Sequence, residues 1–255
     1  MLRQFNNITC AKQYCMKIIP IKEGNYAVNK IKEFTLLKEG EKVEYSKMAV
    51  TPFLVITEND HTLLDTGLRF THHHTPLIYQ CLEKENIRPE QITKILLSHL
   101  HKDHADGLGQ VDEHSFHCNF PEGKIYIQQG ELDFALQQHS NPSYNIPLLE
   151  KLHLLPNIVW MNDNKGWITD EIAYEVTGGH SPFHQSFWIR ANGQTAFYGA
   201  DNLPLKSYLK MPIAYKTDYD GRKAKELRLL WEKSAVEEHW QIMFYHDMKT
   251  SVVQF

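Results

Sequence analysis

The stretch "LLSHLHKDHADGLG", residues 96–109, opens apolar, closes on glycines, and holds three histidines and two aspartates in between. With the residues before it, "ITKILLSH" reads as a short buried strand, so the polar groups fall in the loop at its end. His99 and His101 lie two apart and project to one side of an extended segment, and Asp103 and His104 follow where the chain turns. Imidazole and carboxylate are donors that zinc and similar metals accept, and two neighbouring metals need more donors than one such segment supplies. The missing donors should lie at other strand ends.

Four such ends stand out on either side of the stretch. "HTLLDTG" finishes an apolar run at Asp65, beside Gly67, and "VTGGHSPFHQSF" sets His180 behind a glycine pair that lets the backbone approach a tight site. "AFYGAD" ends at Asp201 and "IMFYHD" passes through His246. The elements around them fall into two successive groups. In the first, "VTPFLVITEN" and "HTLLDTG" form a hairpin across Glu58, Asn59 and Asp60, "TPLIYQCLEKENI" has helical spacing, and strand "GKIYIQQ" leads into helix "GELDFALQQ". In the second, "NIVWMND", "EIAYEVTGGH" and "QSFWIRANGQTAFYGAD" are strands, the last a hairpin about Asn192 and Gly193, before helix "RKAKELRLLWEKSAVEEH" and strand "QIMFYHD". Such grouping predicts two sheets face to face with helices outside. The segment from His139 to Asn157, with Pro142, Pro147 and Pro156, reads as an insertion packed over the surface.

Composition narrows the function classes. The 255 residues are 42% hydrophobic and 23% charged, enough apolar material for one core, with no apolar run of membrane-spanning length. A net charge of -4 without a dense basic run disfavours a nucleic-acid partner. Cys10, Cys15, Cys81 and Cys118 show no CxxC spacing, which fits a reducing cytoplasm. "MKIIPI" reads as the first strand, so residues 16–255 are expected to form one domain and residues 1–15 an N-terminal extension.

The ordered set LLDTG, SHLHKDHADG, GGHSPFHQSF, FYGAD and FYHD resembles the metallo-β-lactamase superfamily of metal-dependent hydrolases, from about Met16 to the end of the chain. The resemblance implies an α+β fold, a four-layer αββα sandwich with two divalent metal ions in a cleft along one edge of the sheets. It implies that His99, His101 and His180 hold one metal, that Asp103, His104 and His246 hold the other, that Asp201 bridges them, and that Asp65 orients a ligand histidine. Zinc is the first expectation for the metal, with manganese, iron or cobalt as alternatives. His184 matches a second histidine common in the motif and is read as supporting structure. Taken singly, Asp65 could be a turn residue, Asp201 a helix cap, and His180 and His246 ordinary buried histidines. The set carries the claim.

Two metals sharing a hydroxide would provide the nucleophile at neutral pH and polarise the oxygen under attack, and Asp103 could pass a proton to the leaving group. No GxSxG nucleophile motif competes with that reading. The charged terminal helix and last strand are similar to quorum-quenching lactonases and organophosphate hydrolases, so a small-molecule lactone or related ester is the expected substrate. A glyoxalase II type thioesterase, a mononuclear-iron persulfide dioxygenase and a binding module with its chemistry lost are the alternatives. The thioesterase would want cleft cations such as Lys206 or Lys210, and Tyr198, Tyr208 or Tyr215 could face a substrate carbonyl. The insertion from His139 to Asn157 and the loop from Leu68 to Pro76 are expected to shape the cleft, and the triple histidine at 72–74 to be a solvated part of that loop.

Overall fold

The computed structural model describes residues 15–38, 40–211 and 213–255, so most of the expected N-terminal extension lies outside the described residues. Two six-stranded sheets dominate. The first runs Lys17–Pro20, Phe53–Ile56, His61–Leu64, Lys94–Leu96, Lys124–Gln128 and Ile158–Met161 in spatial order. The second runs Lys165–Trp167, Ile172–Val176, Gln185–Ala191, Gln194–Tyr198, Gln241–Met243 and Val252–Gln254.

Side-chain alternation explains the four layers. Leu54, Leu63, Ile95 and Ile125 join a cluster with Ile78, Cys81 and Leu82 of helix Leu77–Lys84. Their neighbours Phe53, Val55, Leu64 and Leu96 instead meet Phe187, Ile189, Ala196 and Tyr198 of the second sheet. On the far side, Phe197 and Ile242 pack with Trp231 and Ala235 of helix Gly221–Glu238. The chain therefore folds as the expected αββα sandwich, and the Asn192–Gly193 hairpin closes with both residues at positive φ, 52° and 74°.

Strand direction fixes where the site forms. His61–Leu64 and Lys94–Leu96 are parallel, so Asp65 and the histidine stretch emerge on one edge. Ile172–Val176 and Gln194–Tyr198 both run antiparallel to Gln185–Ala191, and Gln194–Tyr198 is parallel to Gln241–Met243. His180, Asp201 and His246 thus follow three strands of common direction. Two bonds tie the edges together: Gln185 N–H donates to Ser98 O at 2.8 Å, and Thr66 N–H to His104 O at 2.7 Å.

One expectation is corrected. The segment from His139 to Asn157 is not laid over the surface: Tyr144, Leu148, Leu149 and Leu152 are buried in the cluster beneath the first sheet. Its prolines break the chain into short turns, but its spaced apolar residues face inward. Ser143 O accepts from Lys102 N–H at 2.8 Å, so this segment also props the histidine loop. The triple histidine forms a tight exposed hairpin between Thr71–His72 and Thr75–Pro76, with His73 and His74 at positive φ.

The motif's closing glycine has a packing reason. A Cβ on Gly107 would stand 1.9 Å from Thr66 O, and Gly107 N–H donates to Gly67 O at 3.0 Å. Gly107→Ala should force apart the loops bearing Asp65 and His104, destabilising the fold by about 1–3 kcal/mol. Urea denaturation measures this, and an unchanged midpoint would show that the loops are not locked together.

Candidate metal centre

Five histidines and two aspartates converge at the sheet edge, in two groups. His99, His101, His180 and Asp201 form one, and Asp103, His104 and His246 the other. His101 Nδ1 lies 3.0 Å from His99 Nε2 and 3.1 Å from His180 Nε2. Asp201 stands between the groups: its Oδ2 is 3.3 Å from His180 Nε2, and its Oδ1 is 3.2 Å from His104 Nε2 and 3.0 Å from His246 Nε2. Asp103 Oδ2 completes the second group, 3.6 Å from His246 Nε2. All seven expected positions are brought together.

The far side of four histidines is held by a hydrogen bond, which selects the nitrogen facing inward. His104 Nδ1–H donates to Asp65 Oδ2 at 2.7 Å, and His180 Nδ1–H to Asp218 Oδ1 at 2.8 Å. His246 Nδ1–H donates to Ala49 O at 2.7 Å, a carbonyl of strand Ser46–Val50. His99 Nδ1–H donates to Ser98 Oγ at 2.9 Å, and that hydroxyl donates onward to Asp65 Oδ2 at 2.7 Å. Asp65 also accepts from Ser98 N–H and Tyr198 O–H, at 2.7 and 2.5 Å. Buried at φ 56°, it is held in a left-handed conformation by these bonds.

The electrostatics separate the histidines. Burial holds His99 and His101 well below the ordinary imidazole range, reinforced by the neighbouring histidines. Burial would lower His104 and His246 as well, but Asp201 and Asp103 outweigh it, with Asp65 adding at His104, and both are raised. Burial opposes ionisation of Asp201, yet His246, His104 and His180 hold it well below the carboxylate range.

These residues fit a bound cation. His104 Nε2 and Asp201 Oδ1 are buried without a hydrogen-bond partner although they lie close together. Such orphaned groups ask for a counterpart. Ligands of one tetrahedral metal at about 2.0–2.1 Å stand about 3.3 Å apart, close to the spacings of these donors. His99, His101 and His180 could hold one ion, Asp103, His104 and His246 another, with Asp201 able to offer one oxygen to each.

Several side chains behave differently from the sequence expectation. Tyr198 is buried and donates to Asp65, so it does not face a substrate. His184 is also fully buried, and its Nδ1 accepts from Asn202 Nδ2 at 3.1 Å, in keeping with a supporting place. The same Asn202 accepts His180 N–H at 2.9 Å, and a Cβ on Gly179 would stand 2.3 Å from its Oδ1, which explains the glycine before His180. Ser98, Asn202 and Asp218 were not foreseen. Ser98 stood inside the quoted motif, whereas Asp218 comes from a loop with no pattern of its own. Glu131, also unforeseen, accepts from Leu100 N–H at 3.4 Å and Ser181 Oγ–H at 2.8 Å, tying together the two histidine-bearing loops.

A cleft of about 600 Å³ opens above the centre. His101, Asp103, His180, Asp201 and His246 form its floor. Val28, Phe34 and Met48 from the small sheet of Phe34–Leu36, Gly24–Val28 and Ser46–Val50 line one wall, and Pro204, Leu205, Tyr208 and Tyr215 line the other. Tyr208 and Tyr215 are stacked, with ring centres 5.3 Å apart. Lys206, Lys210 and the loop from Leu68 to Pro76 are not part of the lining, because both lysines and that loop lie outside these walls.

The sequence profile of the metallo-beta-lactamase superfamily matches residues 47–231. No curated protein sequence matches the chain. Among solved structures, a probable metal-dependent hydrolase from Staphylococcus aureus superposes with a TM-score of 0.77 at 18% identity, covering 94% of this chain and 92% of that one. AidC, a dizinc quorum-quenching lactonase in complex with the product N-hexanoyl-L-homoserine, gives 0.69 at 20% identity over 95% and 94%. An AiiA mutant from B. thuringiensis with N-decanoyl-L-homoserine bound at its active site gives 0.65 at 21% over 92% and 93%. At these identities the likeness is one of fold.

Two variants probe the supports. Asp65→Asn keeps the size but loses a carboxylate that accepts from four donors, so metal affinity should fall about 10–100-fold in competition with a chromophoric chelator; unchanged affinity would remove Asp65 from the site's support. Burial pushes the Glu131 carboxyl up to about 7, against the hydrogen bonds from Ser181 and Leu100. A raised carboxyl stabilises the fold below its unfolded pKa, and that contribution is lost as pH rises through the folded value. The melting temperature of Glu131→Gln relative to the native protein should therefore climb between pH 5 and 8, and a flat difference would contradict the assignment.

Proposed function

The chain belongs to the metallo-β-lactamase superfamily and is a metal-dependent hydrolase, and from that premise we propose that it opens a lactone or related ester at a two-metal centre. The observation that supports two ions is Asp201, whose two oxygens face separate donor groups. When bound, divalent ions would supply Lewis acidity at the carbonyl oxygen and lower the pKa of water toward neutrality. His99, His101, His180, Asp103, His104, His246 and Asp201 would hold them.

This chain's own residues account for the rest. Asp65, Asp218, Ser98 and the Ala49 carbonyl keep the inward histidine nitrogens aimed, so little reorganisation is needed when substrate arrives. Asp103 lies on the cleft floor beside His246, where its carboxylate can carry a proton to the alkoxide released as the ring opens. Tyr245 O–H donates to Asp103 O at 2.6 Å and fixes the backbone that carries it. Tyr208 and Tyr215 offer a flat wall for the acyl portion and exclude water from it. The lactone reading draws support from AidC and the AiiA mutant, whose bound acyl-homoserine products mark that fold as able to house such molecules.

Zinc is the first choice of metal because its coordination suits mixed histidine and carboxylate donors. Acid release from an N-acyl-homoserine lactone, compared with thiol release from S-lactoylglutathione, tests the reading on metal-loaded protein. Lactone opening should dominate and fall at least about a hundredfold in His104→Ala. Preference for the thioester would replace the lactonase reading with a thioesterase.

A further inference from the structure

The cleft carries an uneven charge that the hydrolytic chemistry does not require. Lys32 and Lys102 line it, the first from the turn of the small sheet and the second from the histidine loop beneath it, while Lys47 turns its ammonium to the other face of the small sheet, onto Glu41 O. The opposing stretch of lining, Pro204, Leu205, Tyr208, Tyr215 and Thr217, contains no cation. This stands against a chain whose net charge is -4.

The lining carboxylates do not neutralise these lysines. Asp103 and Asp201 face the histidines, and Asp218 is bonded to His180. Among the described residues, neither ammonium group forms an ion pair, and the recorded contact is to backbone: Lys102 Nζ to Lys32 O at 3.4 Å. Lys32 sits at φ 57° in the turn before Phe34–Leu36, which directs the chain back over the cleft.

We propose that the cleft selects substrates carrying a second, anionic oxygen group away from the scissile bond, seated between Lys32 and Lys102 while the uncharged part lies on Tyr208 and Tyr215. This rests on the reading of the site as a hydrolase cleft and names its substrate class: a lactone or ester with an anionic acyl arm rather than a neutral aliphatic one. The two walls give the substrate a direction. With the anion drawn toward the small sheet, the carbonyl is left over the floor formed by His101, Asp103, His180, Asp201 and His246.

The test uses two matched ring-opened products, N-hexanoyl-L-homoserine and its analogue with a terminal carboxylate, N-adipoyl-L-homoserine, with calorimetric binding to the metal-loaded full chain. The corresponding lactones serve for turnover. The terminal carboxylate should tighten binding roughly tenfold at low salt, and the advantage should shrink at high salt as counterions screen the lysines. Lys32→Gln with Lys102→Gln should bring the ratio of the two affinities near one, and Lys32→Arg with Lys102→Arg should keep it. Equal or weaker binding of the adipoyl compound, including no binding at all, overturns the proposal, as does an advantage that survives the double glutamine variant. Both lactones opening equally well would leave the hydrolase reading in place and remove this one. A lysine-dependent preference without opening of either lactone would do the reverse.

Discussion

The carboxylate of Asp65 is the constraint on which the centre depends. Held at a positive φ directly after strand His61–Leu64, it accepts from the backbone and hydroxyl of Ser98, from His104 and from Tyr198. Three of these donors come from the loop after Lys94–Leu96 and the fourth from strand Gln194–Tyr198 of the opposite sheet. One buried acceptor therefore joins the two sheets at the edge where the site forms and orients a histidine from each donor group, His104 directly and His99 through Ser98. Buried hydrogen bonds to a carboxylate are strong, and each one left unmade would be costly. That asymmetry makes the arrangement specific.

The surroundings repeat this principle with different acceptors. Asp218 holds His180, and the Ala49 carbonyl holds His246. Each acceptor lies on an element that also builds the cleft, so the walls and the inward-facing nitrogens are positioned together. The second group of donors keeps two raised histidines against a depressed Asp201, whereas His99 and His101 are lowered. Because metal ligands must be unprotonated imidazoles, filling the second group would expel protons, which makes its uptake pH-dependent.

Above this floor the walls differ in origin and chemistry. The small three-stranded sheet brings Lys32, Met48 and the His246 support, while the segment between Asp201 and helix Gly221–Glu238 brings Tyr208, Tyr215 and the His180 support. Arg228 of that helix secures the second wall from behind: it is buried, donates to Asn202 O at 2.9 Å and to Ile213 O, and lies over the Tyr208 ring. The charged helix thus braces a cleft-lining tyrosine and the loop of Asp201 through one guanidinium.

The sequence by itself determined the sandwich and the seven clustered residues. Alternation at Phe53–Leu54–Val55 and Leu63–Leu64 dictates two buried faces, and the histidine spacing with its glycine punctuation is local chemistry that a linear reading can follow. Asp65 was legible only within the ordered motif set that resembles the family, since alone it reads as a turn residue. Only the tertiary structure decided which groups stand behind those residues and what lines the cleft. Asp218 meets His180 and Glu131 meets Ser181 across long loops, where no periodicity links the partners. The segment from His139 to Asn157 looked like surface because prolines dominate its pattern, yet its apolar residues found room beneath the first sheet. Tyr198 went to Asp65, and Lys32 and Lys102 rather than Lys206 or Lys210 reached the cleft, because side-chain destination depends on the direction of the backbone in space, which sequence separation does not encode.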